Sequence, residues 1–196
     1  MDIEQKWKIP VDLLKSAFDD LNIDKDYYSY FEERANRCVN ELATQFAPEL
    51  PDKEDFNKSI DTATTYIQEF VKQIRLGHSE LWSDKYSYYL DAYGEVYSVE
   101  SAYDAVKLKL GEEIADKELA LYANSLYNDP IFVESYIYYF HDGFKDPEKT
   151  AKEYTGLYKS LIEKGKSSIY AKEYARHFIN GYLENDCDYY ASKFEV

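Results

Sequence analysis

Between Gly77 and Gly94 the chain reads GHSELWSDKYSYYLDAYG, and its aromatic residues keep a helical period. Trp82, Tyr86, Tyr89, Tyr93 and Tyr97 follow at steps of three and four, which sets them on one face of an α-helix. Asp84, Tyr88, Asp91 and Glu95 recur at the same steps about half a turn away, on the opposite face. Ser79 stands where a helix N-cap belongs, its oxygen placed to accept an orphan amide hydrogen bond ahead of the aromatic run. An aromatic seam backed by an acidic stripe defines an amphipathic helix, and the rest of the chain is read around it.

The same period runs through most of the sequence. Leu14, Ala17, Phe18 and Leu21 follow Pro10; Asn22 and Asp24 then mark a turn, with Asp24 as an N-cap. Phe31, Ala35, Cys38, Leu42 and Phe46 make a second series, and Phe56, Ile60, Ala63, Ile67, Phe70 and Ile74 a third that closes at Gly77. Val99, Tyr103, Val106 and Leu110 carry the organising helix on to Gly111, with a kink expected near Gly94 or Ser98. A less regular helix spans about Glu112 to Tyr127. Asp129–Pro130 and Asp146–Pro147 then pair an N-cap with proline at the first helical position. With only 7 glycines and 5 prolines to interrupt it, the pattern predicts an all-α protein. Seven to nine helices are expected in antiparallel hairpins, as a bundle or a short helical-repeat stack. The two prolines of APELPDKED divide the chain into an N-terminal hairpin (1–47), a linker (48–55) and a helical-hairpin repeat unit (56–196), unless the whole is one domain.

Self-comparison supports the repeat. A shift of 88 residues matches Ala63, Tyr66, Ile74, Gly77, Ser79 and Tyr86 with Ala151, Tyr154, Ile162, Gly165, Ser167 and Tyr174. A shift of 38 matches Ile131, Tyr136, Phe140 and Gly143 with Ile169, Tyr174, Phe178 and Gly181. Stacked hairpins bury seams that no single unit can bury, and the tetratricopeptide signature is absent.

The formal net charge of −15 divides as −5 over residues 1–50, −4 over 51–110 and −6 over 111–196, so the excess is no mere tail. Such a chain repels nucleic acid and anionic membrane and steers a basic partner. The 22 tyrosines combine apolar area with a polar tip and, with 45% hydrophobic residues, exclude a disordered chain. The start MDIEQKWKIP lacks signal-peptide regions and no apolar run reaches ~20 residues, so a cytoplasmic protein is expected. Cys38 and Cys187 form neither a disulfide framework nor a zinc spacing.

Chemistry-bearing motifs are scarce. His78, His141 and His177 stand outside HExxH or any cysteine pair, and no phosphate-cradling glycine loop or nucleophile elbow occurs. Glu173 and His177, four apart, are half of a metal site with no second half in the sequence. Cys38 reads as core, and the acids of ENDCDYY would raise the thiol pKa of Cys187, the wrong direction for a nucleophile. No catalytic, cofactor-binding or metal-ligating residue is therefore assigned.

The outward faces remain. Asp84 with Tyr88, and Glu134 with Tyr138, sit one turn apart on their helices, while Lys172 and Arg176 hold the corresponding positions of the last aromatic helix. Asp84, Tyr88, Asp91, Glu95, Glu134 and Tyr138 are the candidate partner-binding residues. The expected function is a non-enzymatic one: binding a basic protein partner, in its sharpest version as a nucleic-acid mimic that occludes a nuclease or other nucleic-acid-binding protein. In composition the chain is similar to small acidic inhibitors encoded by phages and mobile elements against host defence nucleases, a likeness resting on no shared motif. The rival readings are a helical enzyme with a site between facing helices, around Glu173 and His177, and a structural or oligomerising module.

Overall fold

The computed structural model describes residues 7–46 and 51–194. The opening MDIEQK, the part of the proline linker at 47–50 and the side chain of Phe46 lie outside the described residues. Among these residues there is no strand, and ten α-helices occur where seven to nine were expected. They are α1 (Val11–Asp19), α2 (Tyr28–Phe46), α3 (Lys53–Arg75), α4 (Glu80–Tyr93) and α5 (Glu95–Leu110). The series continues with α6 (Glu112–Leu126), α7 (Pro130–His141), α8 (Pro147–Glu163), α9 (Ser168–Ile179) and α10 (Glu184–Ser192). The count rises because Gly94 divides the organising helix and α10 adds a last short element. At Gly94 φ is 78°, a left-handed value that ends α4 outright where a kink was expected.

The helix starts follow their caps. Asp52 opens α3 with a reciprocal capping box: its carboxylate accepts from the amides of Glu54 and Asp55, and Asp55 accepts from the amide of Asp52. Ser79 Oγ accepts from Trp82 N at 3.3 Å, and Ser167 Oγ from Tyr170 N at 3.1 Å, with the same backbone angles at both serines. Asp129 and Asp146 cap α7 and α8 ahead of their prolines. The helix ends repeat as well. After α3, α7, α8 and α9 a glycine amide bonds back to Ile74, Phe140, Ile162 or Phe178. The amide one residue further on bonds to Gln73, Tyr139, Leu161 or His177, which completes a Schellman cap each time. The shifts of 88 and 38 residues thus superimpose working turns, not merely similar letters.

The chain forms two compact units, one up to Glu112 and one from Glu113 onward. In the first, α1, α2 and α3 share one core of Leu14, Phe18, Phe31, Ala35, Val39, Ala63, Ile67 and Phe70. The N-terminal hairpin and the start of the expected repeat unit are therefore packed together, and α3 already begins inside the 48–55 linker. An extended strap before α1 is pinned to α2 by two buried asparagines. Ile9 N donates to Asn36 Oδ1 at 2.8 Å, Trp7 N donates to Asn40 Oδ1 at 2.9 Å, and Asn40 Nδ2 donates back to Trp7 O at 2.8 Å. In the second unit, α7 packs on α8, α8 on α9 and α9 on α10. Leu161, Tyr170, Ala171 and Ala191 form the core of its last three helices. A tyrosine–aspartate tie spans both α3–α4 and α9–α10: Tyr66 donates to Asp84 at 2.9 Å, and Tyr170 donates to Asp188.

Candidate interaction surface

The aromatic seam is only half buried. Trp82 and Tyr86 are buried in the first unit, whereas Tyr93 is 64% and Tyr97 44% exposed. The seam becomes exposed at Tyr93, next to Gly94, whose positive φ ends α4 before α5 begins. Tyr89, Tyr93 and Tyr97 form a ring triad across this elbow, with centroids 5.8 Å (Tyr89–Tyr93), 5.4 Å (Tyr89–Tyr97) and 4.8 Å (Tyr93–Tyr97) apart. Tyr89 also meets Tyr88 edge-on at 4.9 Å, so one aromatic row runs from the interior of α4 to the exposed elbow.

The acidic stripe divides at the same place. Asp91 and Glu95 are exposed on either side of Gly94, and Glu100 and Asp104 are exposed along α5. Tyr86 reaches Glu95 through its hydroxyl at 3.5 Å. Asp84 and Tyr88 instead face α2 and α3. Asp84 accepts from Tyr66 and pairs with Lys85 at 2.9 Å. Burial, and Asp84 beside it, push the Tyr66 hydroxyl far above its ordinary pKa. The Tyr88 ring packs against the α1–α3 core, with the guanidiniums of Arg34 and Arg37 at 4.5 and 4.7 Å from its centroid. Its hydroxyl donates to Glu41 Oε1 at 3.2 Å, and the same oxygen takes Arg37 Nε at 3.0 Å. Burial and then Glu41 raise the Tyr88 pKa, against the pull of the two arginines. Arg34, Arg37, Glu41 and Tyr66 were missed by sequence reasoning. Arg34, Arg37 and Glu41 share one face of α2 at steps of three and four, but nothing in the sequence says which tyrosine that face will meet.

The second unit holds the remaining two candidates in a cavity of about 230 Å³ between α7, α8 and α9, lined by Glu134, Tyr138, Tyr139, Tyr154, Lys172 and Arg176 among others. Lys172 Nζ bonds both oxygens of Glu134 at 2.9 and 3.0 Å, and Tyr138 remains 47% exposed. The groove of the first unit, about 190 Å³, uses Tyr66, Asp84 and Tyr88 where this one uses Tyr154, Lys172 and Arg176. Those three pairs are all 88 residues apart, so the charge at equivalent places on the α4 and α9 faces is exchanged between the repeats.

The chemistry of other groups is quickly stated. The Glu173 carboxylate takes Arg176 at 2.6 Å, while His177 Nδ1 lies 2.8 Å from the Glu173 carbonyl oxygen and its ring stacks on Tyr190. The pair is thus turned to different neighbours. Among the described residues no group of three or more His, Cys, Asp and Glu side chains could hold a metal ion. Cys187 is buried, and burial followed by Asp186 and Asp188 pushes its thiol up. No helix among the described residues is long and apolar enough to cross a membrane. Fold and site define an all-helical protein of hairpin pairs with an acidic, tyrosine-lined elbow. Comparison with protein-family models, with curated proteins and with solved structures gives no match.

Proposed function

We propose that this is a non-enzymatic binding protein whose elbow between α4 and α5 receives a basic protein partner. The observation that carries the reading is that Tyr93, Tyr97, Asp91, Glu95, Glu100 and Asp104 are all exposed along one stretch of chain, with no lysine or arginine from Tyr86 to Val106. Tyrosines supply rigid contact area that anchors interfaces, and the surrounding carboxylates steer a cationic surface toward them. The sharpest form of the reading is a nucleic-acid mimic, in which these carboxylates stand in for phosphates within the basic groove of a nuclease or other nucleic-acid-binding protein. Glu134 and Tyr138 belong to a second, weaker candidate surface, since Glu134 is already engaged by Lys172.

The test is capture of basic proteins from a lysate of the source organism, at low and high salt, with the wild-type chain and a triple reversal, Asp91→Lys, Glu100→Lys and Asp104→Lys. Binding of the specific partner should fall steeply with salt, because exposed charges are screened over ~8–10 Å at physiological ionic strength. It should vanish in the reversed chain, whose helical circular dichroism should persist, and nucleic acid should compete for the same partner. A folded reversed chain that captures the same partner with the same salt dependence would mean that the elbow is only solvated surface.

A further inference from the structure

We propose that the cavity between α7, α8 and α9 binds a small zwitterion, a free α-amino acid, independently of the elbow and its partner. At about 230 Å³ the cavity lies below the range that holds drug-sized ligands, so its occupant is small. Tyr139 lines it and is only 1% exposed, yet its hydroxyl has no hydrogen-bond partner among the described residues. A buried, unsatisfied hydroxyl costs free energy, which an acceptor on a ligand recovers. Burial raises the pKa of this hydroxyl most; Tyr154 and Tyr138 raise it further and Arg176 opposes them, all three lining the same cavity. The hydroxyl therefore faces the cavity's own groups and stays protonated, as a donor, at neutral pH.

The first unit shows what a tyrosine at this place in the repeat uses. There Tyr66 donates to the Asp84 carboxylate at 2.9 Å. At a shift of 88 residues Tyr154 takes the place of Tyr66 and Lys172 that of Asp84, and both line the cavity. An ammonium has no lone pair with which to accept from a hydroxyl. A ligand carboxylate supplies in the second unit what Asp84 supplies in the first. Arg176 adds to it, because Glu173 holds one nitrogen of its fork at 2.6 Å and the others remain donors. Glu134 and Glu173 set the rest of the ligand. They balance Lys172 and Arg176 in the lining, so a bare anion meets two carboxylates, whereas a ligand with its own ammonium gives one of them a partner. Both ion pairs are partly exposed and re-pair around a ligand at small cost. The rings of Tyr138, Tyr139 and Tyr154 supply apolar wall for the amino-acid side chain.

Isothermal titration calorimetry of the full chain against each protein amino acid singly tests this. At least one should bind, and its analogues lacking either the amino or the carboxylate group should bind about tenfold more weakly or worse, as loss of a hydrogen-bonded charge does. Tyr139→Phe keeps the ring and removes the hydroxyl. It should weaken the best amino acid about tenfold, while the ligand-free variant melts no lower than wild type, because the hydroxyl adds no hydrogen bond to the fold. Arg176→Gln should weaken the same amino acid with its helical circular dichroism intact, since the side chain is 47% exposed. Absence of binding by every amino acid, an analogue that binds as tightly as its parent, or a Tyr139→Phe chain with wild-type affinity would overturn the inference. A ligand-free Tyr139→Phe chain that melts lower than wild type would place water or a protein acceptor at the hydroxyl and would equally overturn it. None of these readouts involves the elbow, so the reading of the elbow as a site for a basic protein stands or falls separately.

Discussion

Asp129 shows how much a single side chain is asked to do. It caps α7 by accepting from the amides of Ile131 and Phe132, and its second oxygen takes Lys159 of α8. The hydrogen bond from Lys159, followed by the two backbone amides, holds its carboxyl below the ordinary range despite the opposing cost of burial. A carboxyl depressed in the folded state stabilises the fold above its unfolded pKa, and that contribution is lost as pH falls through the folded value. Asp129→Ala should therefore cost about 1 kcal/mol or somewhat more at neutral pH, as N-cap deletions do. The difference from wild type should shrink below about pH 4, where the unfolded carboxyl begins to protonate. Urea unfolding at several pH values checks this, and a difference that stays constant into acid would remove the carboxylate from the explanation.

Elements are decided by how far their faces continue. The aromatic spacing of α4 is regular through Tyr93, yet its seam is buried only up to Tyr86, and Gly94 then ends the helix in a left-handed conformation. Trp82→Ala should therefore cost about 3–5 kcal/mol, the range for large aromatics in cores. Tyr93→Ala should stay within about 0.5 kcal/mol, as exposed positions do. Thermal and urea unfolding of the two variants compare them directly, and similar losses would mean that Tyr93 is covered. The acidic stripe obeys the same logic. Reversal of Asp84 would strike the Tyr66 hydroxyl and the α3–α4 tie, so it tests folding, whereas Asp91 and Glu100 test the surface. That distinction was invisible in the spacing, since all four acidic-stripe positions repeat alike.

At the scale of the whole molecule, tyrosine is the commonest structural device. Burial raises the hydroxyls of Tyr66 and Tyr139 well above the ordinary value and brings Tyr154 to about 12. A group that ionises more readily unfolded than folded contributes stability below its unfolded pKa, near ~10, and loses it as pH rises toward the folded value. Alkaline titration followed by phenolate absorbance should show most tyrosines ionising first. A smaller group should then ionise together with loss of the helical signal. One wave of ionisation of all 22 tyrosines with helices intact would contradict the burial described for these rings.

Local chemistry was readable in the sequence because it depends on neighbours along the chain. The helical class, the caps at Ser79, Asp129 and Asp146, the stop at Gly77 and the repeated turns all rest on contacts within a few residues. Tertiary structure decided what helical spacing leaves open: which part of a face meets another helix. It joined α1 and α2 to the core of α3 and turned Asp84 and Tyr88 inward toward Arg34 and Arg37. It left Asp91 and Glu95 outside with Tyr93 and Tyr97. A period of 3.6 places residues on a face, but only packing between elements distant in sequence decides whether that face is core or surface.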